Sequence, residues 1–438
     1  MEAPAVTGVS SELRARQAEW FAAEPAWHKA ERLQALALYE ALPVPDRART
    51  PLSSRRLETI PYLERRPGPI PPDARVAATV LLTAAGIKDA ALTPAQSAAG
   101  VVVMDLSVAL TRHESLVRGS LGQIENDGGD RYTALNRAFW QPGLFCYVPR
   151  GVELADPITV VHWLDGESPG YLPRIVIVAD EASRVTVVET LLGDPADGHR
   201  VLVSEVMEVD ARAGSHVTVA GIQQLPPGAE AFLRRRARVG KDARVDWNTG
   251  EFGAALSVAG LGTHLQGSGS SMSSVTVFYG TGAQHQDYTA AVVHGAPHTR
   301  SDILARGVMA DRSRSVFTGQ SVIEKGAVGS DARQKEQTLM LSDQARADAI
   351  PSLQIDDNDV FAAHSASAGP IDATMLYYLE SRGLDPEQAR RVVIRGFLEP
   401  ILAGLAPPSV QERVRELVEA KLGGGSWPPR QSGNSIRC

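Results

Sequence analysis

Between Ala182 and Asn248 one phrase occurs three times: ASRVTVV at 182–188, AGSHVTVA at 213–220 and ARVDWN at 243–248. Each copy follows an acidic or glycine-containing turn, and each follows a Val-rich run. Taking Val185, Val217 and Val245 as equivalent gives steps of 32 and 28 residues. Self-similarity near that period, built from short β-branched strands and tight turns, is how a stacked solenoid reads. Few helical periods interrupt 157–363. A sandwich or a barrel would use the same strand chemistry, but the repeat length suits a coil of two or more strands. The expected fold class is therefore mainly β, with a β-helix core.

Outward from that core the periodicity changes. Residues 10–42 read as helix, with Trp20, Trp27, Leu33, Leu36 and Tyr39 at helical spacings and Pro25 dividing the segment. Residues 43–72, rich in proline and arginine, read as an irregular surface connection. Residues 112–124 and 132–139 read as short helices, separated by the NDGGD break at 126–130. Beyond Gly369 the chain turns helical again. Asp372 is placed to cap a first helix and Gly383 to end it. Asp385-Pro386 starts a second, which Gly396 and Pro400 are expected to interrupt. Ser409 is expected to cap a third. The expected organisation is 1–140 N-terminal helical and mixed, 141–369 β-helix core, 370–423 C-terminal helical, and 424–438 a disordered tail. The β region is expected to fold without the residues from Ile371 onward.

The chain has 438 residues, enough for two or three domains, with a formal net charge of −7. That charge argues against general nucleic-acid binding, which needs a basic footprint. Only Cys146 and Cys438 are present. Two cysteines exclude a disulfide framework, fit a reducing compartment and cannot supply a full thiolate set for a cluster. No signal-peptide core and no apolar run of membrane length occurs, so a cytoplasmic protein is expected.

Standard catalytic motifs are missing: there is no GxxxxGK[ST], no GxSxG and no HExxH. GLGTHLQGSG at 260–269 lies in repeat territory with no helix after it, and reads as turn chemistry. His285, His294 and His298 draw notice, because His294 and His298 have equal parity in an extended strand and could share a metal; polar decoration of neighbouring coils is the plainer reading. Asp356, Asp357 and Asp359 could hold calcium or form a solvated turn. Cys146, within a strand, reads as a buried small hydrophobe. His364 ends a short strand among alanines and serines. If Leu353, Ile355, Phe361 and Ala363 face the coil interior, alternation turns Val360, Ala362 and His364 outward.

Five long segments carry a resemblance: EPAWHKAERLQALALYEALPVPDRARTPL (24–52), PGLFCYVPRGVELADPITVVHW (142–163), HTRSDILARGVMADRSRSVFTGQSVIEKGA (298–327), LMLSDQARADAIPSLQIDDNDVFAAHSASAG (339–369) and LYYLESRGLDPEQARRVVIRGFLEPIL (376–402). They resemble the SufB/SufD family, scaffold components of the SUF iron–sulfur cluster assembly machinery. Ser365 stands after His364 where the SufB-like pattern has glutamate, and no cysteine occurs between Tyr147 and Arg437; both favour the SufD-like side. The resemblance implies a right-handed parallel β-helix flanked by helical domains. It also implies a non-enzymatic scaffold that pairs with a SufB-like paralogue and binds a SufC-like ATPase. A transient iron–sulfur cluster shared with SufB is implied at the interface, with His364 matching the family's histidine there as a candidate cluster ligand. The ATPase contact falls on the C-terminal helices, expected at Leu376, Tyr377, Arg382, Phe397, Leu398 and Pro400. A flavin is associated with the assembled complex of that family, with nothing here to mark its site. Two other readings stand: a SufB-type or undifferentiated homodimeric paralogue, and a β-helical, calcium-dependent polysaccharide-acting enzyme, which the missing signal peptide disfavours.

Overall fold

The computed structural model describes residues 9–47, 49–53, 63, 70, 79–124, 129–164, 167–193 and 200–423. The tail at 424–438, with Cys438, lies outside the described residues, as does most of the connection at 54–78.

The centre is a parallel β-solenoid of about 8 turns. The chain alternates between two sheets. One sheet holds Ile158–Leu164, Arg184–Gly193, His216–Gln223, Arg244–Glu251, Ser271–Gly280, Arg300–Met309, Asp331–Met340 and Phe361–Pro370 in spatial sequence. The facing sheet holds Gly143–Val148, Arg174–Ala179, Val201–Ala211, Ala229–Val239, Leu256–Leu265, His285–His294, Arg314–Ile323 and Arg346–Ile355. Val185 pairs with Val217 and Val217 with Val245, so the equivalence read from the sequence is the register itself. The same rung continues through Met272, Ser301, Ala332 and Ala362.

The repeated turn has a backbone reason. Two residues before six strands of the first sheet, from Arg184–Gly193 to Asp331–Met340, the chain enters the left-handed region: Ala182 (φ 55°), Gly214 (φ 66°), Asp242 (φ 53°), Gly269 (φ 74°), His298 (φ 60°) and Gly329 (φ 71°). Glycine takes that conformation freely, whereas other residues do so at some cost. Stacked turns also approach closely. A Cβ on Gly267 would lie 2.0 Å from the backbone nitrogen of Lys241.

Odd-even alternation fills the lumen with Val, Leu, Ile and Met side chains that form the main core. The outer faces are covered by different helices. On the second sheet, Ala26–Ala41 and Arg131–Phe139 set Leu36, Tyr39, Leu135 and Phe139 against Leu202, Phe232 and Val258. On the first sheet, Pro386–Leu402 and Pro408–Leu422 set Ile394, Leu398, Val414 and Leu417 against Ile222, Phe252, Val277 and Val308. Burying each such side chain contributes about 1.5–3 kcal/mol. These two helices therefore belong to the core. Removing everything from Ile371 onward would bare a broad apolar sheet face, contrary to the expectation that the β region folds without it.

Four local readings are corrected. Pro386–Leu402 runs through both Gly396 and Pro400, because the buried face of Ile394, Leu398, Ile401 and Leu402 outweighs the local breakers. The last helix starts at Pro408 after Pro407, with Ser409 inside it rather than capping. Residues 112–124 hold the end of one short helix, Leu106–Arg112, and a second, Glu114–Arg118. The first half of GLGTHLQGSG is strand, within Leu256–Leu265. Asp372 and Asp385 do cap their helices, the latter in a reciprocal box with Gln388.

Candidate functional site

The last turns of the solenoid have no turn stacked beyond them. Ile355 and Phe361 are 44% and 53% exposed, and most of Phe361–Pro370 is open to solvent. Register decides which way His364 points. Ala362, His364 and Ala366 pair with Ala332, Gln334 and Glu336, which are buried residues of the lumen column. Leu353 and Ile355 pair with Ser321 and Ile323, also lumen residues. His364 therefore stands on the interior-facing side, in the mouth of the lumen, and Phe361 stands outside under the Arg333 guanidinium, 5.1 Å from its ring centroid. This corrects the expected facing of Phe361, Ala363 and His364. The cause is the turn after Ile355, which switches parity between the two strands. His364 is exposed because the lumen ends there. Directly beneath it Gln334 Nε2 donates across the lumen to Ser321 Oγ at 2.7 Å.

The other sequence candidates resolve differently. The Asp357 carboxylate accepts from the backbone N–H of Gly326 (3.0 Å) and of Asp359 (3.3 Å). These donors lower its pKa, as expected of a hydrogen-bonded turn. His294 is buried with both ring nitrogens 2.8 Å from hydroxyls, of Thr299 and Ser301, and burial lowers its pKa to about 4. His285 Nε2 lies 2.8 Å from Thr50 Oγ1. His298 is an exposed left-handed turn residue, and the structure does not bring it together with His294. Cys146 lies in the lumen core as a buried small hydrophobe, where burial pushes its thiol up to about 12.

On the C-terminal helices, Ala373–Ser381 buries none of its residues. Met375, Tyr377 and Tyr378 are open, Tyr377 by 74%. Arg382 packs its guanidinium 5.5 Å from the Tyr378 ring. Leu376 and Phe397 are half-buried and Pro400 is exposed. Leu398 is fully buried against the sheet, so it can only back a contact surface. Arg306 donates to the Phe397 carbonyl, which ties this helix to the solenoid.

A constellation that sequence reading missed lies deep in the lumen. His162, Glu189 and Glu205 are each 0% exposed, and ligand-type atoms of all three lie within 4.8 Å of one another. Among the described residues they are the only such group of histidine, cysteine and acidic side chains. Arg235 donates to Glu205 Oε1 at 2.9 Å and to Glu189 Oε2 at 2.7 Å, and Glu251 Oε1 lies 3.9 Å from it. Burial raises both Glu205 and Glu251 to about 7, even though Arg235 opposes the shift. The missed signal was parity: Glu189 follows Val185 and Val187 on the core face of its strand, where a charge is out of place.

Comparison with known proteins agrees with this architecture. Residues 78–160 match the SufBD protein N-terminal region, and residues 162–397 match the SufBD core domain of SUF-system FeS cluster assembly. The chain belongs to the SufBD family. The iron–sulfur cluster assembly protein SufD of Bacillus subtilis is 32% identical over 421 residues, covering 91% of this chain and 95% of that protein. SufBD family proteins of Staphylococcus saprophyticus and Staphylococcus epidermidis are 26% identical over 325 residues, covering 74% of this chain and 70% of each relative. Among the described residues, no helix is long and apolar enough to cross a membrane. An open cleft of about 670 Å³ beside Arg244, Met272, His298, Arg300, Asp302 and Arg333 has no Phe, Tyr or Trp in its lining.

Proposed function

We propose that this SufBD-family subunit of SUF-system iron–sulfur assembly acts as a SufD-type, non-catalytic cytoplasmic scaffold, pairing with a SufB-like paralogue through the open end of its solenoid. The observation that carries the reading is that end: paired strands with free outer edges, exposed Ile355 and Phe361, and His364 facing the lumen mouth. An uncovered strand edge is a template for another chain. Half of a site remains there, because one imidazole and no cysteine cannot hold a cluster alone. The cluster is cargo, and the remaining ligands would come from the paralogue. His364 would offer one neutral ring nitrogen to iron.

The exposed face of Ala373–Ser381, with Leu376, Tyr377 and Arg382, and the neighbouring Phe397 and Pro400, is the proposed contact for a SufC-like ATPase. Leu398 supports it from beneath. Co-expression with the paralogue and ATPase tests the assignment. Wild-type chain is expected to co-purify with both, whereas Tyr377→Asp is expected to lose the ATPase and keep the paralogue. Retention of the ATPase by Tyr377→Asp would refute this placement. His364→Ala is expected to keep the three-component complex and its melting temperature while cluster content falls. Normal cluster content would remove His364 from the mechanism.

A further inference from the structure

The buried cluster in the early turns has features that stability alone does not explain. Four side-chain atoms there lack a hydrogen-bond partner: His162 Nε2, Glu189 Oε1, Glu205 Oε2 and Glu251 Oε2. The first three belong to the residues whose ligand atoms converge. His162 Nε2 and Glu189 Oε1 are 3.0 Å apart without hydrogen-bond alignment. Two ligand atoms held about 2.1 Å from one ion at right angles would be about 3.0 Å apart. Leaving several polar atoms unmatched in a sealed core is destabilising.

The opposite side of every ligand group is already held. Arg235 takes Glu189 Oε2 and Glu205 Oε1, which leaves the other oxygen of each carboxylate turned inward. His162 Nδ1 is 2.7 Å from Tyr171 Oη. If Nδ1 donates to that hydroxyl, the free lone pair is on Nε2. Outer partners of this kind orient metal ligands. Charge leads to the same place. Glu189, Glu205 and Glu251 face the single guanidinium of Arg235, so two negative charges are unmatched when all are ionised. A doubly charged cation would match that excess inside the sealed site.

We infer that this lumen cluster binds one divalent transition-metal ion through His162 Nε2, Glu189 Oε1 and Glu205 Oε2, with Arg235 and Tyr171 orienting the ligands. One imidazole and two carboxylates suit first-row ions that accept mixed nitrogen and oxygen donors. The site is separate from the open end that carries His364, and it does not depend on the SufD-type assignment.

The test uses the full chain, stripped with a chelator and then given Co²⁺ or Zn²⁺, both in the folded state and during refolding, because the cluster is sealed. After dialysis at pH 7.5 one ion per chain is expected to remain, and Co²⁺ should give a visible spectrum with nitrogen and oxygen ligation. His162→Gln and Glu205→Gln are each expected to weaken retention at least tenfold, and His364→Ala to leave it unchanged. Should either variant fail to fold, the wild-type melting temperature replaces dialysis and is expected to rise with Co²⁺. Absence of both retention and that rise overturns the inference. Retention that survives His162→Gln, or that disappears with His364→Ala, also overturns it.

Discussion

The two ends of the solenoid are finished in opposite ways. At the N-terminal end, Val80–Thr83 joins Ile158–Leu164 in parallel and is followed by the antiparallel strand Gly86–Ala90. Val102–Asp105 closes the facing sheet, antiparallel to Gly143–Val148, with Leu106, Leu110 and Trp140 packed around Phe145 and Val176. At the C-terminal end, Arg346–Ile355 and Phe361–Pro370 are left as bare outer strands. Protein chains ordinarily blunt such edges. One end of this molecule is closed off by antiparallel strands, and the other is left open. The same contrast holds inside: charge in the early lumen is sealed around Arg235, while the last rung presents His364 at an open mouth.

The largest expected effect tests the sealed side of that contrast. Arg235→Leu leaves Glu189 and Glu205 buried beside an apolar group, and is expected to cost about 3–5 kcal/mol in denaturant unfolding. Arg333→Leu, at the exposed end, is expected to leave the midpoint unchanged. Equal losses would erase the distinction between the two regions. Next, Leu398→Ala should cost about 2–5 kcal/mol by opening a cavity against the sheet. Tyr377→Ala, one helix away, should not register in the same melt.

A third expectation concerns pH. Glu205 and Glu251 have folded-state pKa values of about 7 against ordinary values of 4.5. A carboxyl raised on folding favours the protonated native form. Its contribution is therefore full below about pH 4.5 and is lost as pH climbs through 7. Chelator-treated protein is expected to lose stability across that window, and Glu205→Gln/Glu251→Gln to flatten the loss. An unchanged slope in the double variant would show that these carboxyls do not set it. The smallest effect on stability is expected from Phe361→Asp: no change in melting temperature, together with loss of pairing to a SufB-like chain.

Much of the fold was legible because the repeat is written in side chains. Val185, Val217 and Val245 are alike since they share one lumen position, and glycine recurs at Gly214, Gly269 and Gly329 since the backbone there turns left-handed. His364 was recognisable as a residue, but its facing was not. Parity can be counted within Phe361–Pro370, whereas the turn from Asp356 to Asp359 resets it, and only pairing with Gln334 settles the face. Helix breakers misled at Gly396 and Pro400 because local propensity yields to a buried stripe. The His162–Glu189–Glu205 group was invisible as a motif. Its members sit on three strands and are joined only by coiling.

Hydrogen exchange, followed with and without a SufB-like partner, tests the open end most directly. Pairing is expected to bring new protection over Phe361–Pro370 and Arg346–Ile355, with Arg184–Gly193 unchanged. Protection confined to Ala373–Ser381, or absent from the last two strands, would contradict it.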